Sequence, residues 1–485
     1  MQAFTKWSTA NGVEATFAKI QQTKYAGKGL FASRSLECNE SVVNVPSDLV
    51  ITRERALQTS SSLQELLRNL EQEGDYEEIE AATGSAESER MVLRLFLLVE
   101  AFAADSDSFW KPYIDCLPTL EELRQYHLLF NSGEKCLHYS GIGRAVLAKR
   151  AALEREFKQL QLYNRGDRFS ALSLDMWIWA DVTFWSRVVS LESIKESCDD
   201  NDDKLDQKLV NNMVLVPFFD LANHSLSPNI RWQLTPNGAI QFVTTRDINE
   251  NDELFLSYGD KSNQELLFLH GFTLEDNPEP IHFKLPLQAF MNEDMADDIN
   301  KYHWLLERTK PILTLCGRPQ GDFPGAFTPF EATGWSFESI AMIYLLTMDE
   351  EDGLQISTIP DIGSISLESD KTAEKDGHFD VQIKILGEEV TSLESLPALI
   401  AKSPNLAVIQ LRTAILLLGA IERHRVELSQ AEMEPSHPGT VYMAHLRRYI
   451  HEEITLLDRA VQSLSDIRDA FLEHKAVQAY LSQWD

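Results

Sequence analysis

Asn223, His224 and Tyr258 are the residues of this sequence whose types and spacing could do chemistry together. Val214-Leu215-Val216-Pro217-Phe218-Phe219-Asp220-Leu221-Ala222 reads as a buried strand that stops at Asn223-His224-Ser225. About thirty positions later, Leu256-Ser257-Tyr258-Gly259 delivers a tyrosine at the end of a second strand. Two strand ends carrying polar side chains can converge on one pocket. Each segment has a bland reading when taken alone. An Asp-x-x-Asn-His string can be an Asx turn with a satisfied histidine, and a strand-end tyrosine is commonly a core residue with its hydroxyl at the rim.

Gly27-Lys28-Gly29-Leu30, continued by Phe31-Ala32, adds a third segment. A lone Gly-x-Gly is usually a turn that uses positive φ, but the same absence of side chains lets a backbone come close to a ligand. It is not a phosphate loop, because no Gly-Lys-Ser/Thr ending and no helix start follow it. Downstream of Tyr258 come Ser262-Asn263-Gln264-Glu265-Leu266-Leu267 and Gly271-Phe272, and upstream lies Trp110-Lys111-Pro112-Tyr113-Ile114-Asp115-Cys116-Leu117-Pro118. In order and spacing this set resembles the SET-domain methyltransferases, and within them the branch that includes the Rubisco large-subunit lysine methyltransferase.

The resemblance implies an S-adenosylmethionine-dependent protein-lysine N-methyltransferase acting on a non-histone protein, such as a ribosomal protein or translation factor. It implies that Asn223 and His224 lie in a pseudo-knot and hold the adenine and amino-acid parts of the cofactor. The backbone around Gly27, Lys28, Gly29 and Leu30 would contact the same molecule, and the guanidinium of Arg187, in Ser186-Arg187, would pair with its carboxylate. Tyr258 is the expected catalytic residue, orienting the acceptor amine; Tyr258 and Phe272 are also expected to contact the cofactor, and Trp232, His270 and Phe272 are expected walls of the substrate channel. One departure stands out. The related enzymes often place a second tyrosine before Gly-Phe, whereas this chain has His270. That change touches both methyl count and acceptor type, so a histidine acceptor, as in a relative that methylates actin, is an alternative. A catalytically silent scaffold that binds a protein partner is another.

These residues must be positioned by an α+β chain. Short apolar segments separated by Gly, Asn and Pro over residues 14–60 read as a meander of strands, the N-terminal half of a β-rich SET module. Residues 61–210 read as a helical insertion, with helices expected over Ser88–Ala104 and Arg144–Tyr163. Its end, Cys198–Lys208, holds five aspartates and two lysines in eleven residues and reads as a polar loop. The strand pattern returns over 211–280, the C-terminal half of the module with the cofactor pocket. Residues 281–485 read as a helical domain, with long helices over Leu396–Leu428 and Thr440–Lys475, the first interrupted near its start by Ser403-Pro404. Alternation over Gly377–Ile385 predicts a hairpin within it. By resemblance this domain binds the protein substrate and completes the outer wall of the channel.

Composition narrows the function classes. The 485 residues carry 44 Lys and Arg against 75 Asp and Glu, a net charge of −31, so the summed field repels nucleic acid and favours a basic protein substrate. Five cysteines, at 38, 116, 136, 198 and 316, form no Cys-x-x-Cys pair, which fits free thiols and no metal site. Phe272–Pro280 holds no cysteine, so the zinc knot of many histone-directed relatives is not expected. Met1–Ala10 does not look like a secretory leader and no long uncharged apolar run occurs, so a monomeric cytoplasmic or nuclear protein without membrane contact is expected.

Overall fold

In a computed structural model the described residues are 2–23, 27–73, 89–163, 169–191, 213–291, 295–318, 320–360, 379–432 and 441–483. They divide into two compact units, one formed by residues 1–133, 144–279 and 439–445, the other by 134–143, 280–438 and 446–485.

Seven short strands build the β part of the first unit: β1 Ala18–Gln22, β2 Lys28–Ala32, β3 Ser41–Val45, β4 Val189–Ser190, β5 Met213–Val214, β6 Ile230–Leu234 and β7 Ile240–Thr244. They pair into three small antiparallel sheets, β1-β2, β3-β7-β6 and β4-β5. Val42, Val43, Val45, Ile240, Phe242 and Val243 are buried on β3 and β7, and because adjacent residues are among them both faces of these strands are covered. Gly238, at φ +77°, supplies the left-handed turn between β6 and β7.

The strand expected over residues 214–222 is much shorter than its apolar run. It ends at Val214, and after Pro217 the chain enters the left-handed region at Phe218 (φ 74°) and coils into a single 3₁₀ turn, Phe219–Leu221. Pro217 has no N–H to continue a ladder. Nor does Tyr258 end a regular strand: residues 253–256 are tied down by single bridges, Phe31 to Glu253 and His224 to Leu256, the latter parallel.

Helices Glu89–Phe102 and Gly141–Tyr163 form over the segments expected at Ser88–Ala104 and Arg144–Tyr163, and Leu174–Arg187 is a further helix of the insertion. In the first unit, Arg94 is buried between Asp181 at 2.7 Å and Glu156 at 3.0 Å, and Lys149 also reaches Asp181 at 2.9 Å. A buried cluster of this kind adds little net stability, but removing one partner leaves an uncompensated charge that costs about 3–5 kcal/mol. It fixes the Leu174–Arg187 helix and therefore where Arg187 emerges. The polar loop over 198–208 lies outside the described residues.

The second unit contains the two-stranded antiparallel sheet of β8 His282–Pro286 and β9 Ile312–Cys316, and a sheet of β10 Leu354–Pro360, β11 Phe379–Ile385 and β12 Glu388–Glu389. The rest is mostly helical. Ser403-Pro404 separates helices Leu396–Ile400 and Leu406–Glu432, and a further long helix spans Val441–Leu472. The mixed architecture is α+β, with the helices concentrated in the insertion and the C-terminal region.

Candidate active site

Gly29 lies where three segments of the first unit meet. A Cβ placed on it would come 2.5 Å from Glu253 Oε1, 2.9 Å from Thr23 Cγ2 and 3.0 Å from Asn223 Nδ2, so any larger residue would have to push these side chains aside. The Asn223 amide donates to Glu253 Oε1 at 2.7 Å and to the Lys28 carbonyl at 3.4 Å. Leu254 N–H donates to the Leu30 carbonyl at 2.8 Å, which sets the register of the two segments. Gly27 has φ +70° with open space about its Cα, and Lys28 donates through Nζ to the Cys116 carbonyl at 2.9 Å. Cys116 belongs to the Trp110–Pro118 segment, which is thereby tied to the glycines.

Asn223-His224 and Tyr258 are neighbours in space. Leu256 N–H donates to the Asn223 carbonyl at 2.9 Å, and Ser225 N–H donates to the Leu256 carbonyl at 3.0 Å. This parallel pairing carries Tyr258 past the bend, where its N–H donates to His224 Nδ1 at 3.0 Å and its hydroxyl donates to the Ala222 carbonyl at 3.0 Å. Held at both ends, the phenol has one orientation. Burial pushes its pKa up to about 12, against the opposing pull of the Arg187 charge, so at neutral pH it stays protonated. Because the proton goes to Ala222, the Tyr258 oxygen faces elsewhere as an acceptor.

A ring cluster surrounds it. The Tyr258 ring centre lies 5.1 Å from that of His224 and 4.9 Å from that of His270, and Phe272 stands 6.3 Å from His224 and 6.0 Å from His270. His270 ends the helix Asn263–His270, which starts with a reciprocal Ser262–Glu265 cap and stops at Gly271, φ +79°. That left-handed residue turns Phe272 back toward His270. Burial pushes the His270 pKa down to about 3, and its Nε2 has no hydrogen-bond partner. Trp232 is not in this group; it packs against Phe219 at 5.3 Å from its place on β6, with Phe242 opposite it on β7.

Arg187 emerges from its helix onto Asp220. It donates through one terminal nitrogen to the Asp220 carbonyl at 2.6 Å and stands 3.2 Å from the carboxylate, while Tyr113 donates to the same carboxylate at 3.0 Å. Buried, Asp220 is pushed above the usual carboxylate range by desolvation and pulled back by Arg187. The guanidinium expected to face a ligand carboxylate is thus committed in large part to Asp220, with Nε left unpartnered and closed to solvent. Asp220, Glu253 and Tyr113 were not singled out from the sequence as site residues. The first stands in the quoted Asp-x-x-Asn-His string, the last in Trp110–Pro118, but nothing local shows that they meet Arg187 or Asn223.

A cavity of about 240 Å³ lies elsewhere in the helical insertion, lined by Leu66, Leu95, Leu98 and Phe157 among others, without a titratable side chain. Among the described residues no group of three or more His, Cys, Asp and Glu is placed to hold a metal ion, and Cys38, Cys116, Cys136 and Cys316 form no disulfide. No described helix is long and apolar enough to cross a membrane.

Comparison with known proteins gives a consistent picture. Residues 27–259 match the SET domain. The chain is 25% identical over 256 residues to N-lysine methyltransferase setd6 of Xenopus laevis, covering 52% of this chain and 51% of that one. It is 24% identical over 297 residues to the actin-histidine N-methyltransferase of Drosophila melanogaster, 57% of this chain and 49% of that one. Against ribosomal lysine N-methyltransferase 1 of Saccharomyces cerevisiae it is 26% identical over 245 residues, 41% and 40% respectively. The chain spans about half the length or less of these curated relatives. Among solved structures, Rubisco LSMT bound to sinefungin and monomethyllysine superposes with a TM-score of 0.61 at 17% identity, covering 97% of this chain and 90% of that one. Rubisco LSMT bound to AdoMet gives a TM-score of 0.58 at 16% identity, covering 98% and 92%.

Proposed function

We propose that this chain is an S-adenosylmethionine-dependent protein-lysine N-methyltransferase of the Rubisco large-subunit methyltransferase type, whose substrate is a basic, non-histone protein; the SET-domain match and the shared fold support this reading. The observation that carries this reading is the convergence of Tyr258, anchored to Ala222 and His224, with Asn223 and the glycine segment.

The residues suit a zwitterionic nucleoside. Gly27 and Gly29 keep side chains away from the backbone of 27–30, Asn223 and Glu253 offer an amide and a carboxylate beside it, and Arg187 keeps one spare donor in Nε. When bound, the cofactor supplies an activated methyl: the acceptor nitrogen forms the new N–C bond as the C–S bond breaks and its electron pair returns to sulfur. What the protein must add is an uncharged amine in line at roughly 3 Å, and such positioning can contribute several kcal/mol.

Lysine has a free pKa of about 10.4, so at pH 7 the neutral amine is on the order of one in a few thousand. The rings of Tyr258, His270 and Phe272 disfavour the ammonium by desolvation and lower that pKa. Tyr258 cannot serve as a base at neutral pH, since it is protonated and its proton is given to Ala222. Its role is to orient the amine, and the aromatic faces tolerate the positive charge that develops on nitrogen.

His270, where the resemblance leads one to expect tyrosine, supports a second reading in which the acceptor is a histidine side chain. The acidic balance of the chain favours a lysine-rich partner such as a ribosomal protein or translation factor, met in cytoplasm or nucleus and bound by the helical residues 281–485. Calorimetry with S-adenosylmethionine tests the cofactor. A cell extract incubated with the chain and labelled cofactor, followed by mass spectrometry, tests the acceptor. Binding with labelled lysine supports the proposal; labelled histidine selects the second reading; no binding at high micromolar cofactor leaves a silent scaffold.

A further inference from the structure

Phe218 takes φ 74° and ψ −36°, a conformation that costs a bulky residue free energy and persists only where the surroundings over-determine it. It stands third in a tight turn led by Pro217, in which Phe219 N–H donates to the Val216 carbonyl at 3.1 Å. Proline second and a positive φ third is the pattern of a type II turn, whose third place ordinarily goes to glycine. A phenyl ring in that place must gain from a contact that glycine could not make. The contact is with Phe4 of the helix Gln2–Ala10: the ring centres lie 4.9 Å apart and both residues are buried. Phe4 also lies 6.5 Å from Tyr113, which donates to Asp220. Three residues on, along the same helix face, Trp7 packs edge-on at 5.8 Å from Trp110 and 5.5 Å from Phe109, so the helix is docked at two points.

Resting on the methyl-transfer reading above, we propose that Phe4 is a positioning residue for that reaction, acting through the backbone of Phe218. From Phe218 the chain passes in one 3₁₀ turn to Asp220, which holds Arg187, and to Ala222, whose carbonyl accepts from the Tyr258 hydroxyl. Asn223 follows directly. The Phe4 ring therefore sets the turn on which the phenol and the cofactor-side bend both depend, without touching either. When that ring is removed, Phe218 loses the contact that holds its strained backbone, and the turn relaxes toward negative φ. The Ala222 carbonyl then swings away from Tyr258 and carries Asn223 with it.

The test uses the full chain with two readouts, calorimetric titration with S-adenosylhomocysteine and carbon NMR of tyrosines labelled at Cζ, where each resonance reports the hydrogen bond of its phenol. The Tyr258 resonance is the one missing from Tyr258→Phe. Phe4→Ala and Phe218→Gly are each expected to move that resonance and to weaken S-adenosylhomocysteine about tenfold, the effect of one misplaced hydrogen bond. Phe4→Leu, which keeps most of the bulk, should restore both readouts toward wild type. Phe218→Gly keeps the turn and removes its strain, so it carries the test even where Phe4→Ala fails to fold. A role in packing alone would lower the melting temperature and leave the Tyr258 resonance in place. An unmoved resonance with unchanged affinity in Phe218→Gly therefore overturns this proposal while leaving methyl transfer intact. If wild type itself does not bind S-adenosylhomocysteine, the methyl-transfer reading falls and this one falls with it.

Discussion

The hydroxyl of Tyr258 donates to the carbonyl of Ala222 at 3.0 Å, one residue before Asn223. Phenol and cofactor-side bend are therefore one rigid unit, and a change at either end is felt at the other. Tyr258→Phe removes this bond while keeping the ring against His224 and His270. Turnover is expected to fall about 100-fold through loss of amine alignment, with S-adenosylmethionine affinity nearly unchanged. Single-turnover kinetics beside calorimetry separates the two; an equal loss in both would mean that Tyr258 only supports the bend.

Gly29 and Gly27 should respond differently to the same substitution. Gly29→Ala drives a methyl into Glu253 Oε1 and Asn223 Nδ2, so it should abolish cofactor binding and destabilise the chain by about 1–3 kcal/mol, the cost of overpacking. Gly27→Ala meets open space and pays only for a left-handed φ, about 1 kcal/mol. Thermal melts and cofactor titrations of both variants check the order; a milder Gly29→Ala would place Glu253 and Asn223 away from the glycine.

Arg187 and Asp220 form a buried pair whose partners are not equivalent to their neighbour Tyr113. Asp220→Ala strands the guanidinium and is expected to cost about 3–5 kcal/mol. Tyr113→Phe removes one hydrogen bond to the carboxylate and should cost roughly 1 kcal/mol. Chemical denaturation of the two variants decides. Similar small losses would show that Arg187 finds another partner, which its free Nε makes a real test.

Much of this was legible in the sequence, for physical reasons that differ residue by residue. The break at Ser403-Pro404 could be read because proline ends a helix whatever surrounds it, and the helix Leu406–Glu432 starts just after it. The meeting of Asn223-His224 with Tyr258 could be read because two polar-tipped apolar segments have few other places to go. The early end of the 214–222 strand could not, since the left-handed φ of Phe218 is imposed by packing and only Pro217 hints at it. Glu253 and Asp220 were missed because each matters through a partner far away in sequence, Asn223 and Arg187. Trp232 was expected on the channel wall because it follows the bend, but sheet register sets it opposite Phe242 and against Phe219.

The buried histidines make stability depend on pH in a direction that can be worked out. In the folded chain burial holds His270 at about 3 against 6.5 for a free ring, and His127 at about 4. Between those values the unfolded chain binds protons that the folded chain refuses, so the unfolded form gains as acid is added. This stabilisation is complete above about pH 6.5 and drains away as pH falls toward 4 and 3. Asp220 and Glu253, raised by burial, act oppositely, because the folded chain takes up their protons first. Both carboxylates are the same in wild type and in a His270 variant, so comparing the two isolates the imidazole. His270→Phe is accordingly expected to lose less melting temperature than wild type between pH 7 and 5, measured by scanning calorimetry in the absence of cofactor. Parallel losses would mean that the ring takes up its proton in the folded chain.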